Sequence, residues 1–249
     1  MMASGLASTD PRISKTGSAA KLARTHALAC VDQGTLFLLA RSARQVDAHS
    51  AGQGPGAAER NRGLLVVLSG HAVVGTPNKV TELSGAGEMV GEENVFGTAG
   101  GSTVRLLGQG TALAIPGEAV RQALEHSPRL AHALAANLAR REYRVTQRME
   151  CHASRRGPER LGGFILRQLP AREASQLLWL PTSKTIIASL LSMTKESLSR
   201  GLAHLAAAAL ISVRGRQLRV PSPSRLAEAC GCPAACTACN GVACAEGPA

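Results

Sequence analysis

The chain has 249 residues, enough for two domains, carries a formal net charge of +11, and has no apolar run long enough to cross a membrane. Its five aromatic residues (Phe37, Phe96, Phe164, Tyr143 and Trp179) are too few for a protein that grips single strands by stacking on bases. The charge is lopsided: residues 1–120 hold 10 basic and 9 acidic side chains, whereas residues 121–249 hold 18 and 8, a net +10. Such a half suits a phosphate backbone. A membrane surface is the competing partner, but the arginines are spread over several elements rather than set on one amphipathic helix.

Residues 1–25 mix Ser, Thr, Gly, Lys and Asp without periodicity and read as a disordered arm. They lack the apolar core of a secretory signal. A cytoplasmic location is therefore expected, and with it cysteines kept as thiols or metal ligands rather than disulfides. Residues 26–126 read as one domain, in which short apolar runs alternate with glycine-rich turns between roughly residues 34 and 118. Leu64–Leu68 reads as a strand, Ser69-Gly70 as a turn and Ala72–Gly75 as the returning strand; Thr103–Leu107 and Thr111–Ile115 follow. This spacing predicts a small antiparallel roll or barrel.

Ser127-Pro128 opens a long helix as N-cap and first turn, predicted over residues 127–153. Leu130, Leu134, Leu138, Val145 and Met149 trace one apolar stripe, with Arg140, Arg141, Arg144 and Arg148 largely outside it. The stripe packs either on the chain's own roll or on a second copy, and a two-fold dimer through Leu134, Leu138 and Val145 is the expectation. Arg155-Arg156-Gly157-Pro158 reads as the hinge into a second domain over residues 154–228.

That domain carries the most specific signal. Thr182–Leu191 and Thr194–Leu205 read as two short helices joined by a tight turn, followed by the basic hairpin Ile211–Val220. On the second helix Leu198, Leu202 and Leu205 fall within about 60° of one another at 100° per residue, and Glu196, Arg200 and Ala203 lie opposite. Thr194 is a good N-cap. An ordinary surface helix with a Glu196/Arg200 pair would show the same periodicity. The hairpin favours DNA: it sets Arg214, Arg216 and Arg219 on or beside a turn at Gly215, within reach of phosphates.

The stretch Leu180-Pro181-Thr182-Ser183-Lys184, Ile187-Ala188, Leu191, Thr194-Lys195-Glu196, Ser199-Arg200 and Leu210-Ile211 resembles the Crp/Fnr family of bacterial transcription regulators. Its E-x-x-S-R form is similar to the Fnr-like branch. Two departures stand out: Ser192 and Ala209 occupy positions where many members have glycine. The resemblance implies an α+β chain with an N-terminal cyclic-nucleotide-binding-like β-roll, a dimerisation helix and a C-terminal winged helix-turn-helix. It implies base contacts from Glu196, Ser199 and Arg200, a base or phosphate contact from Lys195, and phosphate contacts from Arg214 and Arg216. It implies a homodimer on double-stranded DNA, with RNA polymerase as a further partner. The family's effector cassette would run from Gly87 to about Thr103. Gly91, Glu92 and Ser102 match its pocket positions, but Gly101 stands where a cyclic-phosphate-binding arginine is expected, which speaks against cAMP.

After the wing, Cys230, Cys232, Cys236, Cys239 and Cys244 place five of the seven cysteines in a tail over residues 229–249. Thiolates this dense suit an iron–sulfur cluster or zinc, and metal-free oxidation is the alternative chemistry. A redox, oxygen or nitrosative signal is therefore expected. His26, His71, His126 and His132 are candidate haem ligands, although lone histidines are more often structural. With no G-x-S-x-G, Walker loop or H-E-x-x-H, no enzyme is expected. The competing function is a ligand- or metal-binding sensor acting through protein contacts alone.

Overall fold

A computed structural model describes residues 11–47, 63–76, 79–97, 103–154, 156–169, 176–180 and 183–231. The chain divides into two compact units, residues 1–140 and 141–249.

The first unit opens with helices α1 (Pro11–Ala23) and α2 (Gln33–Ser42), joined through a single 3-10 turn at His26–Leu28. The disordered arm expected over residues 1–25 is corrected here from Pro11 onward. The segment has poor intrinsic helicity, but Leu22 is fully buried with Leu28, Leu36 and Leu39 in one core, and burial of such side chains outweighs weak propensity. Asp32 caps α2 by accepting the Thr35 N–H at 2.9 Å and the Thr35 hydroxyl at 2.8 Å.

An antiparallel sheet follows, in the order β1 (Arg44–Asp47), β5 (Thr103–Pro116), β2 (Gly63–Thr76), β3 (Lys79–Gly85), with the short β4 (Met89–Val90) also paired to β2. Leu64 and Val66 enter the helix-covered core, while Leu65 and Val67 enter a second core with Ala72, Val74, Val104 and Leu106. Burial on both faces explains why Leu64–Leu68 is continuously apolar rather than alternating.

The turn expected at Ser69-Gly70 is not one. Residues 63–76 form a single strand that pairs with β5 along its length, with register shifts between Val67 and Ser69 and between Ser69 and His71. Gly70 has φ +70°, and a Cβ there would lie 2.7 Å from the Gly110 Cα. Glycines on the two strands thus oppose each other, so both bend together through a bulge instead of reversing.

Helix α3 (Glu92–Val95) and helix α4 (Gly117–His126) lead to the long helix α5 (Pro128–Ser154). Leu130, Ala133 and Leu134 lie in the core of the first unit. Leu134 is 1% exposed, so its assignment to a dimer face is corrected: it packs at home. Farther along the same stripe Leu138 (39%), Val145 (37%) and Met149 (66%) are exposed.

The second unit contains α6 (Gly157–Gln168), β6 (Gln176–Trp179), α7 (Lys184–Leu190), α8 (Lys195–Ala207), β7 (Ser212–Arg214), β8 (Gln217–Val220) and α9 (Pro223–Ala229). Its three-stranded sheet runs β6-β8-β7. Helix α9 carries the expected domain one residue past 228: Ser222 is its N-cap, Pro223 opens its first turn, and Leu226 and Ala227 are buried. No described helix is long and apolar enough to cross a membrane.

Candidate nucleic-acid interface

Helices α7 and α8 are set by their caps. Ser183 accepts the Ile186 N–H at 3.4 Å, and Thr194 accepts the Ser197 N–H at 3.1 Å. Each helix ends alike. The Met193 N–H donates to the Ala188 carbonyl at 2.9 Å, and the Leu210 N–H to the Leu205 carbonyl at 3.0 Å, a pattern that forces the residue before the donor into the left-handed region. Those residues are Ser192 (φ +51°) and Ala209 (φ +54°), the two positions where the sequence departs from glycine.

The left-handed region costs an L-residue about 1–2 kcal/mol, whereas glycine's extra freedom in the unfolded chain costs about 0.4–1 kcal/mol. Ala209→Gly is therefore expected to stabilise this unit by roughly 0.5–1 kcal/mol. A denaturation midpoint that falls in this variant would refute the account of the turn.

Helix α8 buries Leu198, Gly201, Leu202 and Leu205. A Cβ on Gly201 would stand 3.1 Å from Leu161 Cδ2, so this glycine lets α8 lie close to α6; the apolar periodicity gave no hint of that role. Lys195, Glu196, Ser199 and Arg200 are all outside the buried set, and Arg200 is exposed. Arg200 Nη2 donates to Ser197 Oγ at 3.2 Å, and Thr194 Oγ1 donates to the same oxygen at 3.1 Å. The Glu196 carboxylate is held below its ordinary range, first by its own backbone N–H and then by the Thr194 hydroxyl, with Lys195 and Arg200 adding to the effect. The first turn thus presents an ionised acceptor beside a guanidinium, a combination suited to the donors and acceptors on base edges.

In the wing, Arg214 pairs with Gln217 across a two-residue turn whose Gly215 has φ +62°. Arg214 and Arg219 are exposed. Arg216 is exposed as well; its Nη2 donates to the Leu180 carbonyl at 2.9 Å, while the Leu180 N–H donates to the Arg216 carbonyl at 2.8 Å. That pair ties the wing turn to the end of β6.

Residues 159–229 match the family described as the Crp-like helix-turn-helix domain. These residues of the second unit are similar to such a domain. No curated protein matches the chain in sequence. Solved structures match more widely. FixK2 from Bradyrhizobium japonicum is 18% identical at a TM-score of 0.56, covering 66% of this chain and 85% of its own. The c-di-GMP responsive regulator CLP from Xanthomonas campestris is 21% identical at 0.60, covering 77% and 100%. A CRP-family regulator from Thermus thermophilus is 24% identical at 0.56, covering 69% and 89%. The chain therefore shares its fold with these proteins, and residues 159–229 are the part similar to the Crp-like domain.

Two of the three candidate effector residues, Gly91 and Glu92, lie among the described residues of the first unit. Gly91 has φ +93° and precedes α3. Glu92 is fully buried. Its carboxylate accepts from the Asn137 amide on α5, which also donates to the Met89 carbonyl at 3.2 Å. Asn137 was missed in the sequence, although a polar residue on the covered side of an apolar helix is itself a signal. Ser102 lies outside the described residues. So do Cys232, Cys236, Cys239 and Cys244. Cys230 is described, and it is buried. Among the candidate haem ligands, His126 and His132 are exposed and His71 is half-buried. Among the described residues no three His, Cys, Asp or Glu side chains are grouped to hold a metal.

Proposed function

We propose that this chain is a cytoplasmic, homodimeric transcription regulator of the Crp/Fnr type that reads double-stranded DNA through α8, acts on RNA polymerase, and answers a redox, oxygen or nitrosative signal rather than cAMP. The observation that carries the reading is the split face of α8. Leu198, Gly201, Leu202 and Leu205 are buried, leaving Lys195, Glu196, Ser199 and Arg200 as an outward polar row. Arg214 and Arg219 supply the flanking cations. Against cAMP stands the state of Glu92, fully buried and engaged by Asn137, so a ribose hydroxyl would have to displace an existing partner.

The test is selection of a duplex site from a random pool, followed by titration of two variants. Arg200→Ala is expected to lose about 1–3 kcal/mol on the selected site and to relax preference at one base pair per half-site. Arg214→Ala should instead weaken all duplexes alike and flatten the salt dependence by about one phosphate contact. Arg214 is the cleaner phosphate probe, because removing Arg216 also breaks its bond to Leu180. Unchanged affinity of Arg200→Ala for both selected and random DNA would refute the reading.

A further inference from the structure

We infer that Ser197 is a positioning residue for base reading: its hydroxyl oxygen holds the Arg200 guanidinium in a set conformation near the start of α8 and ties it to the Thr194 cap. This role rests on the reading of α8 as the helix that contacts DNA, and it falls to a residue which that reading leaves without one. Ser197 is half-buried, next to Glu196 and outside both the apolar face and the outward polar row. Its side-chain oxygen nonetheless receives two donors, Arg200 Nη2 at 3.2 Å and Thr194 Oγ1 at 3.1 Å. Both acceptor sites of the hydroxyl are thereby filled. Thr194 in turn accepts the Ser197 N–H at 3.1 Å, so the N-cap, Ser197 and Arg200 form one hydrogen-bonded chain along the start of the helix.

The natural alternative partner for Arg200 is Glu196, placed where an i,i+4 ion pair forms on a helix surface. Glu196 offers itself in charged form, because its own backbone N–H and then the Thr194 hydroxyl hold its carboxyl below the ordinary range. Such a pair would turn the two groups on each other and away from base edges. It is also worth little on an exposed helix, so a well-placed hydroxyl can compete for the guanidinium. Arg200 takes the Ser197 hydroxyl. A guanidinium has donors to spare after that bond, so the fork needed for a base edge remains. What Ser197 removes is the rotamer freedom of a long exposed side chain, which would otherwise be lost only on binding. A neutral hydroxyl adds no charge, so attraction to the phosphate backbone is untouched.

The experiment is a double-mutant cycle on the full-length protein, with binding measured to the selected duplex and to a mixed-sequence duplex. Ser197→Ala is expected to bind the selected duplex about 3- to 10-fold more weakly, the cost of ordering one such side chain, with mixed-sequence binding and its salt dependence unchanged. In the Arg200→Ala background the same substitution should change neither. Ser197→Thr, which keeps the hydroxyl, should recover most of the loss. Alanine keeps the N–H that Thr194 accepts and favours the helix, so the thermal transition should stay or rise. An equal loss with and without Arg200, or a loss shared by both duplexes as from a phosphate contact, overturns the inference. So does full affinity of Ser197→Ala for the selected duplex. In each of these cases the loss that Arg200→Ala shows by itself leaves the DNA-reading helix standing. If Arg200→Ala loses nothing, that reading falls and the role of Ser197 falls with it.

Discussion

Leu138→Glu is expected to leave this protein monomeric and to weaken binding to a two-half-site duplex by about 10²–10⁴-fold, the gain that tethering two reading heads provides. The argument rests on where the stripe of α5 stops being covered. Leu134 is 1% exposed and belongs to the first unit's core, whereas Leu138, one turn on, is 39% exposed. Val145 and Met149 continue on the same side, within about 40° of Leu138 at 100° per residue. An apolar row that continues past its own core along a helix of 27 residues has the form of a coiled-coil seam, and the same row on a second copy is its natural complement.

Leu138 is the better probe than Leu134, since a charge at Leu134 would unfold the roll and prove nothing about association. Sedimentation of Leu138→Glu at micromolar concentration should show half the mass of the unsubstituted chain. A dimer of unchanged strength would move the interface elsewhere. A monomer that bound the duplex as tightly as before would remove the need for two half-sites.

What the sequence revealed follows the range of the interactions involved. The helix-turn-helix was legible because caps and apolar periodicity are local: Thr194, Leu198, Leu202 and Leu205 all do what their spacing requires. The wing was legible as a hairpin for the same reason. The bond from Arg216 to Leu180 was not, because the two residues lie 36 positions apart. In the roll the strand-forming segments were evident, but a Ser-Gly pair reads as a turn unless one knows that Gly110 sits opposite and the strand runs on. Helix α1 was hidden by its Gly, Ser and Thr content, since its order comes from Leu22 packing on distant residues. Cys230 was grouped with the tail by composition, and only Gly162, 68 positions earlier, shows that it belongs to the core.

The pocket residues make the same distinction testable. Gly91 is expected to be required by the fold itself, whatever the effector. Its φ of +93° is costly for any L-residue, and a Cβ would lie 2.6 Å from the Gly63 carbonyl oxygen and 3.3 Å from Asn94 Nδ2. The carbonyl belongs to the start of β2, whose neighbours along the sheet leave it little room to move. Strain of about 1–3 kcal/mol and overpacking of about 1–3 kcal/mol then act together, so Gly91→Ala should destabilise the first unit by about 3 kcal/mol or more. Gly87 provides the control. It also has a positive φ, +86°, but a Cβ there would meet nothing nearer than the His26 N at 4.0 Å. Gly87→Ala should cost only the conformational part, about 1–2 kcal/mol. Denaturant unfolding of both variants without added ligand separates the cases. Equal losses would mean that the Gly63 contact is unimportant, and would return Gly91 to the residues retained for an effector. The expected larger loss for Gly91→Ala means that Gly91 has a structural reason to be present without a nucleotide.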